Sequence, residues 1–232
     1  MESSGHSGSK LHLHKGWVWK RSSYLSRCSE KDYRLRAAFL LSLNAQFPHM
    51  PRINFLDNRE MAIEFISGWE GIEGLDFSQF GQVVRKLHSL EIMGPPKDTG
   101  IDWLLTLAAE NLTRVGGKLD EITLELFDAF TEETVVHGEI TQVITRPDGS
   151  LYILDWDECG MGSRYQDLGF VHYQFLERGL ELESFQDFMD GYADESVNDA
   201  LVQAAAGLIA LAYARFYDFE RRIALGRGLL HL

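Results

Sequence analysis

Near the start of the chain, apolar and polar residues alternate on both sides of a short turn. Leu11-His12-Leu13-His14 runs into Lys15-Gly16 and out through Trp17-Val18-Trp19-Lys20, which predicts a β-hairpin. Ser29-Glu30-Lys31-Asp32 then resembles a capping box opening a helix that carries Tyr33, Leu35, Ala38, Phe39 and Leu43. Pro48 and Pro51 end it. Residues 52–55 and 61–66 read as two further strands joined at Asp57-Asn58.

Two glycines punctuate Ser67-Gly68-Trp69-Glu70-Gly71, and the pattern changes beyond them, so this stretch reads as a hinge. Phe80, Val83, Val84 and Leu87 give residues 77–90 helical spacing. A Pro/Gly-containing connection over 93–100 leads to two helical stretches, 101–113 and 119–130. From Val135 to Trp156 the chain alternates again and turns at Pro147-Asp148-Gly149, which predicts a hairpin. From Gln166 onward it is mostly helical, and no internal repeat is present. The order predicts an α+β fold of two lobes, 1–68 and 69–232, with a cleft between them as the natural ligand site. The opening MESSGHSGSK is Ser/Gly-rich and fits a floppy terminus.

Composition narrows the function classes. The 232 residues carry 35 Asp+Glu against 22 Lys+Arg, a formal charge of −13. That balance argues against a nucleic-acid partner or an anionic membrane, and it suits a cationic ligand. Cys28 and Cys159 make neither a disulfide framework nor a zinc site. The opening residues hold no apolar core segment of a signal peptide. The apolar run Ala204 to Ala214 is short of the roughly 20 residues a span requires. A reduced, cytoplasmic setting is the expectation.

Polar chemistry concentrates in one region. His137-Gly138-Glu139-Ile140-Thr141-Gln142 precedes the hairpin, and Asp155-Trp156-Asp157-Glu158 follows it. Glu139, Gln142, Asp155 and Asp157 can converge there as oxygen ligands of the kind that suit Mg²⁺. Asp155 sits among Ile153, Leu154 and Trp156, so its carboxylate needs a partner.

The run HGE…PDGSLYILDWDECGMGSRYQDLG resembles the aminoglycoside phosphotransferase and choline kinase-like family of small-molecule kinases. Val18-Trp19-Lys20 is similar to that family's phosphate-lysine strand. Ile63-Glu64-Phe65-Ile66-Ser67-Gly68 is similar to its adenine-side hinge strand, and Val83 to His88 to its first C-lobe helix. The resemblance spans about residues 3–175 and implies a protein-kinase-like fold using ATP or GTP with Mg²⁺. Two positions depart from the pattern. Glu139 stands where the family has a catalytic Asp, and Gln142 where it has a metal-binding Asn, on a loop about two residues shorter.

Carried over position by position, the resemblance implies that Glu139 orients or deprotonates the acceptor hydroxyl. Gln142 and Asp155 would hold Mg²⁺, with Asp157 a further candidate. Lys20 would bind the α/β-phosphates, and residues 3–9, including Gly5, Ser7 and Gly8, would form a short lid over them. Glu64 and Ile66 would line the adenine side. Asp167 would brace the catalytic loop through His137 or its backbone. The helix acid that pairs with the lysine does not align: Arg36 falls near it, leaving Glu30 or Asp32 to substitute or the pair to be absent.

The leading expectation is phosphoryl transfer from ATP to a hydroxyl of a small, cationic molecule, aminoglycoside-like or another amine-bearing natural product. Two others stand beside it: a kinase of Ser or Thr in a precursor peptide, and a pseudokinase-like module that binds a peptide or protein. The last helices, with Leu208, Leu211, Phe216 and Phe219, are candidates for docking a partner or a second copy. Acids such as Glu177, Glu181, Glu183, Asp187, Asp190 and Asp194 form either an exposed face or a pocket for a cation.

Overall fold

The computed structural model describes residues 2–4, 10–23, 25–55, 59–72, 74–95, 101–119, 130, 133–140, 142–216 and 218–231. Its N-terminal part is an antiparallel sheet in the order β1-β2-β3-β5-β4. The strands are β1 (Glu2–Ser4), β2 (Lys10–His14), β3 (Trp17–Arg21), β4 (Ile53–Phe55) and β5 (Met61–Glu64). The hairpin is in the expected place, with Leu11 opposite Lys20 and Leu13 opposite Val18. The opening segment differs from expectation: Glu2–Ser4 is not a loose end but pairs with β2, Ser3 opposite Leu11. The expected lid residues Gly5, Ser7 and Gly8 lie outside the described residues.

Helix α1 (Glu30–Gln46) packs on the sheet face that carries Phe55, Tyr33 meeting that ring edge-on at 6.0 Å. Ser29 caps it, its Oγ accepting the Asp32 N–H at 3.2 Å. The buried stripe is Arg36, Phe39, Leu40 and Leu43, while Leu35 and Ala38 face outward. Counting back from Leu43 by helical turns puts Arg36 on the inner face, so one cation takes a place that the hydrophobic pattern gives to an apolar residue.

The C-terminal part is helical: α2 (Phe77–His88), α3 (Ile101–Arg114), α4 (Arg164–Arg178), α5 (Leu182–Tyr192), α6 (Asp199–Tyr213) and α7 (Phe219–Leu230). Helix α2 packs on α5, α4 on α6, and α6 on α3 and α7. The predicted helix over 119–130 falls almost entirely outside the described residues. Asp199–Phe216 is long and apolar enough to cross a membrane by length and composition, which the shorter run counted from sequence did not show. With 67% of that window buried, it is the core helix of this part. Leu208 and Leu211 are fully buried there and so cannot serve a docking surface, whereas Phe216 is half exposed.

Two small sheets lie between the helices and the N-terminal sheet. The predicted 135–156 hairpin divides: β8 (Val143–Thr145) pairs with β9 (Leu151–Ile153), while β7 (Thr134–Val136) pairs with β10 (Gly160–Gly162). The hinge contains a two-residue strand, β6 (Trp69–Glu70), laid against β8. The loop after α1 reaches the same place. His49 accepts the Ile153 N–H through its carbonyl at 2.8 Å, and its Nδ1 meets the Leu151 carbonyl at 2.9 Å.

Candidate active site

Strand periodicity sets the first side chain. Along β3, Trp17, Trp19 and Arg21 point to one face, so Val18 and Lys20 point to the face covered by α1, opposite Ile63 and Met61 of β5. Lys20 is buried in an interior strand rather than solvated at an edge. Its ammonium is paired with Asp155 and, at 2.9 Å, with Asp157 Oδ2. Burial works against the positive charge, but the two carboxylates more than offset it and hold the lysine above its ordinary pKa.

An aromatic anchor presents the two carboxylates. After β9 the chain turns through Asp155, whose φ of 66° is left-handed, into a 3-10 turn over Trp156–Glu158. Trp156 is buried. Its indole N–H donates to the Ile153 carbonyl at 2.6 Å, and its ring meets Phe47 and His137 edge-on at 5.5 and 4.6 Å. With Trp156 fixed inward, the residues on either side of it reach Lys20. Asp157 is therefore buried rather than solvated. Asp155 makes no capping bond to the 3-10 turn.

The loop bearing Glu139 is held from below by Asp167, in the first turn of α4. The fully buried carboxylate accepts the backbone N–H of His137 at 2.9 Å and that of Gly138, and it meets His88 Nε2 at 3.0 Å. Burial alone would push this carboxyl up; the His88 bond and the His137 N–H outweigh burial and keep it below the usual range. Gly138 has φ 87°, which lets two successive N–H groups turn toward one carboxylate. His137 Nδ1 accepts the Glu139 N–H at 3.3 Å, so Nε2 carries the proton given to the Leu154 carbonyl at 2.8 Å. Glu139 leaves this loop on an exposed side chain. Gln142 is half buried, and its carbonyl accepts the Leu154 N–H at 2.9 Å, next to Asp155.

The remaining expected residues fall as follows. Glu64 ends β5, bonded to Arg52 at 3.0 Å and 3.8 Å from Arg146; the Arg52 hydrogen bond holds its carboxyl low. Ile66 is buried just beyond it. No acid of α1 pairs with Lys20: Glu30 bonds Arg34 and Arg59, and Asp32 bonds Ser29. The C-terminal acids form no common pocket. Glu177 pairs with Arg222 and Asp194 with Arg164, while Glu181, Glu183, Asp187 and Asp190 are exposed. Ser22, which bonds Asp157, was not singled out from the sequence; His88 and Arg36 were noted there without the partners the structure gives them, Asp167 for His88 and, 3.5 Å from Nη1, the Cys159 carbonyl for Arg36. A lone histidine ending a helix, a serine after a strand and an arginine in a helix carry no spacing motif.

The donors near Lys20 are all oxygens. Among the described residues no three of His, Cys, Asp and Glu gather as a metal cluster. Mg²⁺ asks for less, taking one or two carboxylates with water and substrate phosphate completing its shell. Asp155, exposed on one side and unused as a cap, is a carboxylate of the kind that demand calls for, and Gln142 lies close to it along the chain pairing, its backbone carbonyl on the Leu154 N–H.

A small antiparallel sheet followed by a mainly helical part is the layout of a protein-kinase-like fold. Solved structures similar to this chain include choline kinase-like and aminoglycoside phosphotransferases. Choline kinase LicA from Streptococcus pneumoniae superposes with a TM-score of 0.71 at 14% identity, over 99% of this chain and 92% of that one. A choline/ethanolamine kinase family protein from Mesorhizobium loti gives 0.66 at 14%, over 100% and 88%. The AMP-bound spectinomycin phosphotransferase APH(9)-Ia gives 0.64 at 12%, over 100% and 90%. No protein-family model matches the chain, and no curated protein matches its sequence. The likeness is one of fold.

Proposed function

We propose that this chain is an ATP-dependent phosphotransferase that moves the γ-phosphoryl group to a hydroxyl of a small, amine-bearing molecule. The observation that carries this reading is Lys20: an inward lysine on the central strand, brought against the Asp155 turn, in a fold whose solved relatives include an AMP-bound phosphotransferase. In this reading Lys20 holds the α/β-phosphates, and the strand end at Glu64 and Ile66 faces the adenine. Asp155 and Gln142 would hold Mg²⁺, which when bound neutralises phosphate charge. Glu139 orients the acceptor hydroxyl and takes its proton. Asp167, braced by His88, keeps the His137–Glu139 loop in place for that task. The acidic balance of the chain, −13, favours a cationic acceptor.

The test is a thermal shift with ATP and Mg²⁺, followed by an ATP-consumption screen over amine-bearing alcohols such as choline and aminoglycosides. Ligand that binds only the native state raises the melting temperature by mass action. A Mg²⁺-dependent rise in the wild type, absent in Lys20→Ala, supports the reading. No rise at millimolar nucleotide removes it in favour of a binding module.

A further inference from the structure

The two carboxylates on Lys20 are not equivalent. The side chain of Asp155 is 45% exposed, and that of Asp157 only 8%, as is that of Lys20. Asp157 is gripped twice from the same stretch of chain, by Lys20 at 2.9 Å and by the hydroxyl of Ser22 two residues on. Ser22 is itself fully buried and fixed, its Oγ accepting the Leu25 N–H at 3.2 Å. Among the described residues Asp155 has no such second hold; it is on the exposed side of the turn, in the left-handed conformation.

Helix α1, which covers the Lys20 face of the sheet, brings no counter-charge. Its only acids are Glu30 and Asp32, both engaged elsewhere in its first turn. The charged residue that it buries is Arg36, which reaches the carbonyl of Cys159, just past the same turn. The negative charge that orients the lysine therefore comes from the segment after β9, and α1 supplies that segment with a donor instead.

We propose that Asp157 is the positioning residue for Lys20, and that Asp155 is the exchangeable partner that gives Lys20 up when a phosphate group arrives. The assignment rests on the phosphotransferase reading and takes Asp157 out of the metal set. Lys20 then keeps one fixed carboxylate while its other face turns from Asp155 to a phosphate oxygen. Asp155, released, has its charge free for a divalent cation. Fixing the lysine in this way depends on the Trp156 anchor and not on where α1 stands.

The experiment is ADP binding by calorimetry, in Mg²⁺ and in EDTA, to the wild type and to D155N, D157N and S22A. A misplaced ammonium weakens phosphate binding whether or not metal is present. D157N is expected to lose affinity by about tenfold in both buffers, the scale of one lost ionic contact, with S22A shifting the same way by less. D155N is expected to lose the gain that Mg²⁺ gives and to bind at least as well as the wild type in EDTA. A D157N defect confined to the Mg²⁺ buffer makes Asp157 a metal ligand and overturns the assignment. A second readout needs no nucleotide: the rate at which acetic anhydride acetylates Lys20, followed by mass spectrometry. It is expected to rise in D157N and to stay at the wild-type rate in E30Q and D32N; an unchanged rate in D157N overturns the pairing. Wild type that binds no ADP in either buffer overturns the phosphotransferase reading and the assignment with it, and is told apart from a misassigned aspartate by that result alone.

Discussion

The Nε2 atom of His88 lies 3.0 Å from the Asp167 carboxylate, and its Nδ1 lies 2.8 Å from the hydroxyl of Tyr192. A carboxylate can only accept, so Nε2 donates to Asp167, while Nδ1 shares a hydrogen bond with the tyrosine hydroxyl. One ring thus joins α5 to α2, α4 and the loop that carries Glu139. His88→Ala is expected to destabilise the fold by about 1–3 kcal/mol, the range for stripping a partner from buried polar groups. His88→Gln, which keeps a donor, should recover part of this. A double-mutant cycle with Asp167→Asn in urea should show a coupling of roughly 0.5–3 kcal/mol. Additive effects would mean that the ring does not act through Asp167.

The same brace requires α5 to lie almost backbone to backbone on α2. A β-carbon at Gly191 would stand well inside van der Waals contact distance of the Ser78 carbonyl oxygen, and one at Gly81 well inside that of the Phe188 carbonyl oxygen. Backbone atoms cannot step aside as a side-chain end does. Gly191→Ala and Gly81→Ala are each expected to cost about 1–3 kcal/mol or more. They should also lower any phosphotransfer, because α5 carries Tyr192. Gly228→Ala, where a β-carbon meets nothing within 4 Å, is the control; equal urea midpoints for all three would refute the close-packing argument.

How far the sequence reached depended on the range of the interaction. The hairpin over residues 10–21 and helix α2 were legible because alternation, turn chemistry and the Phe80–Leu87 spacing are local, and all four of those α2 residues are buried. The β7–β10 pairing was not legible, since its strands lie on either side of the β8–β9 hairpin and that hairpin carries its own complete signal. The resemblance brought Lys20 to attention, and the apolar flanks of Asp155 brought that carboxylate. Neither route showed that Asp157 would be buried, because that depends on which way Trp156 points, and two chain neighbours give no hint of an indole donating to Ile153. Arg36 was opaque for a related reason: the Cys159 carbonyl that this buried cation meets lies far along the chain, beyond the reach of any local pattern.

Asp155 offers a way to separate charge from backbone. At φ 66° and ψ 56°, a residue with a β-carbon is strained unless it is Asn or Asp, which tolerate the left-handed region. Asp155→Asn is expected to keep the fold and its melting temperature while losing the Mg²⁺-dependent thermal shift with ATP. Asp155→Ala should lose that shift and also about 1 kcal/mol of stability, from the backbone alone. Asp155→Gly should keep the turn. Should Asp155→Asn retain the Mg²⁺-dependent shift, the carboxylate is not needed for the metal and the site assignment is wrong at its centre.

His172, on α4, gives the fold an acid-sensitive point away from the site. Its ring stacks on Phe185 with centroids 4.2 Å apart and planes 13° from parallel, and its Nδ1 is buried with no hydrogen-bond partner among the described residues. Burial pushes its pKa down from 6.5 to about 4, only partly opposed by Asp199. A histidine that is harder to protonate when folded favours the unfolded chain wherever that chain takes the proton first. Stability is therefore expected to rise with pH between about 4 and 6.5, by about 3 kcal/mol across that window, and to be insensitive to this ring above it. His172→Phe keeps the stacked shape and removes the proton site. Urea midpoints measured from pH 4.5 to 7.5 should converge for the two proteins at the upper end and separate at the lower, the variant being the more stable in acid. Parallel curves would show that the ring is as readily protonated in the folded chain as in the unfolded one, and that its burial against Phe185 carries no cost.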